Sequence, residues 1–86
     1  MQNEEAYGPL AAALIRACGQ DRLTTRTAIE AVFDPRREVT LPAAVREAVH
    51  RVRSRVRRAL AEGTTDEARV RRDLSLRGCE HRQKKI

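Results

Sequence analysis

Six arginines lie between positions 46 and 58 of this 86-residue chain, and they are its main source of chemistry: Arg46, Arg51, Arg53, Arg55, Arg57 and Arg58. A guanidinium group stays charged at every physiological pH and donates forked hydrogen bonds to phosphates and carboxylates. So dense a group of cations favours an anionic partner, and nucleic acid is the commonest one. The chemistry that we expect is therefore binding, not catalysis.

A regular apolar series lies between these arginines and predicts how they are positioned. Its members are spaced alternately by four and three residues: Val45, Val49, Val52, Val56 and Ala59. At about 100° per residue they form one narrow stripe on a helix, and the arginines cover most of the remaining circumference. We therefore predict a long basic helix over residues 42–62, with Gly63 just beyond its end.

The other local signals predict three shorter helices. Pro9 suits the first position of a helix that ends at Gly19, and Thr24 or Thr25 can cap a second helix that ends before Asp34-Pro35. Thr64 with Glu67 has the spacing of a capping box for a fourth helix, with Ala68, Val70, Leu74 and Leu76 as its apolar positions and Gly78 as its end.

These elements predict an all-α fold, a small bundle of about four helices with the long basic helix as its spine. Residues 1–78 would form a single helical domain, and residues 79–86 a basic, disordered tail. The first two helices would pack on the valine stripe. As an alternative, this stripe could form a short coiled-coil seam between two copies of the chain.

Charge is distributed unevenly along the chain, whose formal net charge is +6. Residues 1–45 carry five basic and six acidic side chains, whereas residues 46–86 carry thirteen basic and six acidic ones. Two explanations of this basic half remain open. In the first, it serves an anionic partner; in the second, it is a solvated surface in which one flank of the long helix pairs with Asp34 or Glu38.

Other function classes find little support. No apolar run approaches the ~18 residues that span a bilayer, and the first residues have no basic leader, so we expect a cytoplasmic chain without a membrane partner. Cys79 and His81 could supply at most two metal ligands, and no phosphate-binding glycine loop or catalytic pair is present. We expect no metal, no cofactor and no enzymatic activity.

One segment resembles a known family. Ala59, Gly63 and Thr65 have the spacing of a helix-turn-helix, and the run Val70-Arg71-Arg72-Asp73-Leu74 resembles the recognition helix of bacterial helix-turn-helix repressors, notably the DeoR-type winged-helix group. The resemblance covers about residues 59–78. It implies that this helix enters the major groove of DNA. An ordinary helical hairpin is the alternative for the same segment.

These observations lead to two hypotheses about function. The first is a small DNA-binding protein of bacterial, plasmid or phage type, a transcriptional regulator or accessory factor that binds double-stranded DNA, with a homodimer as one form of it. Phosphate contacts would come from Arg46, Arg53, Arg55, Arg57 and Arg58, and base contacts from Arg69, Arg71 and Arg72. The second is an inhibitor or adaptor of phage or mobile-element type that binds an acidic host protein through the same arginines.

Overall fold

The computed structural model describes the backbone of residues 2–83 and the side chains of residues 7–77. Four α-helices and one 3₁₀ helix follow one another along the chain. They are α1 (Gln2–Ala17), α2 (Arg22–Phe33), the 3₁₀ helix (Pro35–Thr40), α3 (Ala43–Glu62) and α4 (Glu67–Gln83). The predicted all-α bundle of about four helices is confirmed, and α3 agrees with the predicted basic helix to within one residue.

The valine stripe of α3 forms the centre of the core. Val49 and Val52 are fully buried, and the other three members of the stripe are at most 4% exposed. Helices α1 and α2 both pack against α3 and cover this stripe, as predicted. Because complete burial of an aliphatic side chain contributes about 1.5–3 kcal/mol, the stripe is a main source of stability. It is buried within one chain, so it does not provide a coiled-coil seam for a dimer.

Helix α1 begins well before Pro9, so the predicted start at Pro9 is wrong. Pro9 lies inside the helix, where its ring removes one backbone hydrogen bond. The neighbouring Tyr7 explains why the helix continues past it. This residue is 1% exposed, and its hydroxyl donates a hydrogen bond of 2.8 Å to Oδ2 of Asp73 on α4. This tertiary contact outweighs the local proline signal.

Aspartates, and not the predicted threonines, cap two of the helices. Oδ1 of Asp21 accepts from the backbone N–H of Leu23 at the start of α2, at 3.0 Å. Oδ1 of Asp66 accepts in the same way from the N–H of Arg69 at the start of α4, at 2.8 Å. A carboxylate satisfies unpaired N–H groups and also interacts favourably with the positive end of the helix dipole, which explains why the threonine predictions were wrong.

The two glycines near α4 behave differently. Gly63 ends α3 as predicted: its φ of 76° is left-handed, and its N–H bonds to the carbonyls at the end of the helix. Gly78 does not end α4, which continues to Gln83, so the predicted boundary there is wrong. Most of the predicted tail is thus helical backbone, and residues 84–86 lie outside the described part of the chain.

Helix α4 packs against α1 and α2 and not along α3. Val70 and Leu74 are fully buried, whereas Ala68 and Leu76, also predicted to be apolar contacts, are exposed. The outer face of α3 is consequently left uncovered by α4. Of the helices that the structure describes, none has the length and apolar character needed to cross a membrane.

Candidate nucleic-acid interface

Helix α3 carries five arginines that are exposed to solvent: Arg46, Arg51, Arg55, Arg57 and Arg58. Within the part of the chain that the structure describes, their side chains form no ion pair and no hydrogen bond. The sequence offers Glu47 and Glu62 as partners at helical spacing, but neither closes a salt bridge with its neighbouring arginine on α3. We call these five residues the arginine face. They present five positive charges to solvent on one helix.

Arg53 belongs to the same helix but has a different role. Its side chain is only 12% exposed and lies against the end of α2. Nη2 donates to the carbonyl of Ala31 at 2.5 Å and to Oε1 of Glu38 at 2.6 Å, and Nε donates to the carbonyl of Val32 at 3.3 Å. The last carbonyls of a helix have no partner within it, so Arg53 satisfies two acceptors that would otherwise be unpaired. Its guanidinium is used inside the protein.

Glu38 links the 3₁₀ helix to α3 through two partners. Its Oε2 lies 2.7 Å from Nε2 of His50, and its Oε1 accepts from Arg53. These contacts, first the hydrogen bond with His50 and then the one with Arg53, hold the pKa of Glu38 below its usual range. The expected pairing of one flank of the long helix with Glu38 is thus confirmed for His50 and Arg53. Asp34 instead pairs with Arg36 and Arg37.

Arg71 on α4 is also held by contacts within the protein. Its Nη1 lies 3.1 Å from Oε2 of Glu30, its Nη2 lies 3.0 Å from Oε2 of Glu67, and its guanidinium carbon lies 4.4 Å from the centre of the Phe33 ring. The carboxylate of Glu30 is the main reason that the pKa of Arg71 is raised further. Arg71 thereby attaches α4 to α2. To contact a DNA base, its guanidinium would have to leave these partners.

The eight residues that the sequence selected therefore separate into distinct groups. Four lie on the arginine face: Arg46, Arg55, Arg57 and Arg58. Arg53 and Arg71 are engaged within the bundle, and Arg69 and Arg72 lie on the exposed side of α4. Arg51 was not selected although it is exposed beside Arg55 and Arg58. Its spacing from them, four and seven residues, was the signal that identifies it.

The described residues show no arrangement that would bind a metal ion or activate a cysteine. No group of three or more histidine, cysteine, aspartate or glutamate side chains is arranged there to hold a metal ion. Cys18 is a free, buried thiol, and burial raises its pKa, which suppresses the nucleophilic thiolate. Cys79 and His81 lie outside the described side chains.

Charge and geometry thus make the arginine face the candidate binding site. It is a convex helical surface, and the ligand that it suits is an extended anion that can contact several guanidinium groups at once. Comparison of the chain with protein-family models, with curated protein sequences and with solved structures finds no match.

Proposed function

We propose that the chain is a small double-stranded DNA-binding protein that acts as a transcriptional regulator or accessory factor. The observation that carries the proposal is the arginine face, five exposed arginines without acidic partners among the described residues. Binding to phosphates would release condensed counterions, which is the main source of affinity in sequence-independent DNA binding.

The distribution of the other arginines supports this choice. Arg53 and Arg71 show that this chain pairs arginines with glutamates where they are needed for the fold. Glu47 and Glu62 are within helical reach of arginines on α3, yet the pairs are not formed. An external anion can therefore bind the arginine face without breaking an ion pair within the protein.

A titration of DNA binding against salt tests the proposal. We would measure the fluorescence anisotropy of a labelled duplex of about 25 base pairs between about 50 and 200 mM salt, where each neutralised phosphate contributes about −0.9 to the slope of log K against log salt. Replacing Arg51 and Arg55 by Gln should weaken binding about tenfold and make this slope shallower by about 1.8.

The matched control is the replacement of Arg22 and Arg26 by Gln on α2. Both residues are exposed, and the net charge changes by the same amount. A specific role for the arginine face predicts a much smaller loss of affinity in this control. Equal losses in both variants would show that only net charge matters, and absence of binding to the duplex at the lowest salt would overturn the proposal.

An acidic protein partner is the second candidate, and exposed apolar residues favour it. Leu23 and Val39 are each at least 70% exposed, and Leu23, Thr24, Thr27, Thr40, Leu41 and Pro42 line a shallow cleft of about 220 Å³. A cleft lined by both apolar and threonine side chains suits contact with a protein surface better than contact with a phosphate backbone. In this case the duplex would not bind, and one protein would bind with a defined stoichiometry and weaker salt dependence.

A further inference from the structure

The exposed side of α3 has a central row of residues with short or acidic side chains. Glu47, Ser54 and Ala61 are all exposed and are spaced by seven residues, so they lie almost in line along the helix. Counted at about 100° per residue, Ser54 lies on the opposite side of α3 from the buried valines. None of the arginines belongs to this row.

The arginine face consists of two rows, one on each side of this central row. One flank carries Arg51, Arg55 and Arg58, and the other carries Arg46 and Arg57 together with His50. The arginines are the longest side chains on this surface, whereas Ser54 between them is short. At the level of Ser54 the helix therefore has a shallow centre and two cationic edges in cross-section.

This cross-section matches a groove with anionic walls and a floor of hydrogen-bonding groups. An α-helix with its side chains is about 10–12 Å across, the major groove of B-form DNA is about 12 Å wide, and the minor groove is only about 6 Å wide. The major groove of A-form RNA is too deep and narrow for side chains to read.

Of the described aromatic residues, Tyr7 is buried and Phe33 is covered by Arg71, so neither offers a stacking surface for unpaired bases.

We infer that α3 binds in the major groove of B-form DNA, with Ser54 facing the base edges and the two arginine rows contacting phosphates on opposite walls. The inference rests on the proposed function and specifies its substrate class, its docking element and a residue that faces the bases. A serine hydroxyl can donate to or accept from a base edge, and its small size lets the helix approach the groove floor. The docking element is then α3, not the α4 segment of the helix-turn-helix resemblance.

Replacing Ser54 by Trp tests whether the centre of α3 enters the groove. A bulky ring at this position should hold the helix away from the base edges and weaken binding to the B-form duplex by about tenfold or more. The matched control is Ser75→Trp, the same change at an exposed position of α4. Helical circular dichroism confirms that both variants are folded. Equal affinity of the Ser54→Trp variant and the unchanged protein would overturn the inference.

A second experiment uses the unchanged protein and blocks one groove of the DNA at a time. We would compare binding of the unchanged protein to duplex DNA whose cytosines carry glucosylated hydroxymethyl groups, which fill the major groove, and to unmodified duplex saturated with netropsin, which fills the minor groove. We expect a loss of at least about tenfold with the glucosylated duplex and little change with netropsin. The opposite pattern would overturn the inference while leaving DNA binding intact, whereas absence of binding to every duplex would overturn the proposed function itself.

Discussion

Arg53 and Arg57 are one helical turn apart on α3, yet the structure gives them different roles. Arg53 reaches inward to the end of α2 and to Glu38, whereas Arg57 is exposed and has no partner among the described side chains. The residue type is the same, so only the surroundings distinguish them. The pair therefore allows stability and binding to be separated within one turn of helix.

Arg53→Ala should destabilise the protein by roughly 2–3 kcal/mol, because it leaves two helix-terminal carbonyls without their donor and leaves Glu38 with His50 as its remaining partner. Arg57→Ala should change the free energy of unfolding by less than about 0.5 kcal/mol and should weaken duplex binding instead. Urea denaturation and anisotropy measure the two effects. Similar losses of stability in both variants would contradict the internal role that we assign to Arg53.

The lowered pKa of Glu38 predicts how the stability of the protein depends on pH. Its pKa is lowered in the folded protein, so its ionised form stabilises the fold above the carboxyl pKa of the unfolded chain, about 4.3. That stabilisation is lost as the pH falls through the lower, folded pKa. Glu38→Gln should therefore lower the Tm at pH 7, and the difference from the unchanged protein should shrink as the pH falls below about 4.

Glu62→Gln is the control for this experiment. Glu62 is exposed on α3 and has no ion pair within the described residues. Its replacement should leave the Tm almost unchanged across the same pH range. A Glu38→Gln variant whose Tm matches that of the unchanged protein at pH 7 would show that the contacts with His50 and Arg53 contribute nothing to stability.

At the scale of elements, the docking of α4 distinguishes two leucines that are two residues apart. Leu74 is fully buried, whereas Leu76 is 53% exposed. Leu74→Ala should cost about 2–5 kcal/mol, because it removes buried methyl groups and leaves a cavity between α4 and the rest of the bundle. Leu76→Ala should have little effect. Thermal unfolding of both variants measures the difference, and equal shifts in Tm would mean that α4 does not pack as described.

The sequence predicted α3 and the ends of α2 and α3 well, whereas it placed the start of α1 and the end of α4 wrongly. Five valine and alanine positions repeat over the length of α3, so a long, regular signal predicts both the helix and its buried stripe. The start of α1 lies beside a contact between two helices that are distant in sequence, the hydrogen bond from Tyr7 to Asp73. No local pattern contains that information.

The same distinction applies to the binding site. Sequence identified a cationic helix, and four of the eight selected arginines lie on its exposed face. It could not show that Arg53 bonds to the end of α2 or that Arg71 lies over Phe33, because both contacts join helices that are distant in sequence. The choice between a buried, paired arginine and an exposed one requires the tertiary structure.

For the whole molecule, the arginine face is a source of electrostatic repulsion. Arg55 has like-charged neighbours at both helical distances, Arg51 four residues before it and Arg58 three residues after it, and none of the three has an acidic partner among the described residues. Each such like-charged pair destabilises a helix by about 0.2–0.5 kcal/mol. A surface retained at this cost is consistent with selection for binding.

Arg55→Gln should consequently stabilise the free protein by about 0.4–1 kcal/mol, since it removes two repulsive pairs, and this corresponds to a rise in Tm of roughly 2–8 °C for a domain of this size. The gain should shrink at high salt, because screening weakens the repulsion between exposed charges. Arg57→Gln is the control, because its neighbour Arg53 is already paired with Glu38. Calorimetry at low and high salt measures these shifts.

If Arg55→Gln lowers the Tm, the arginine stabilises the fold, and the charge on this face would not need a ligand to explain it. If it raises the Tm and weakens duplex binding in the same variant, the residue favours binding at the expense of stability, as expected for a functional surface.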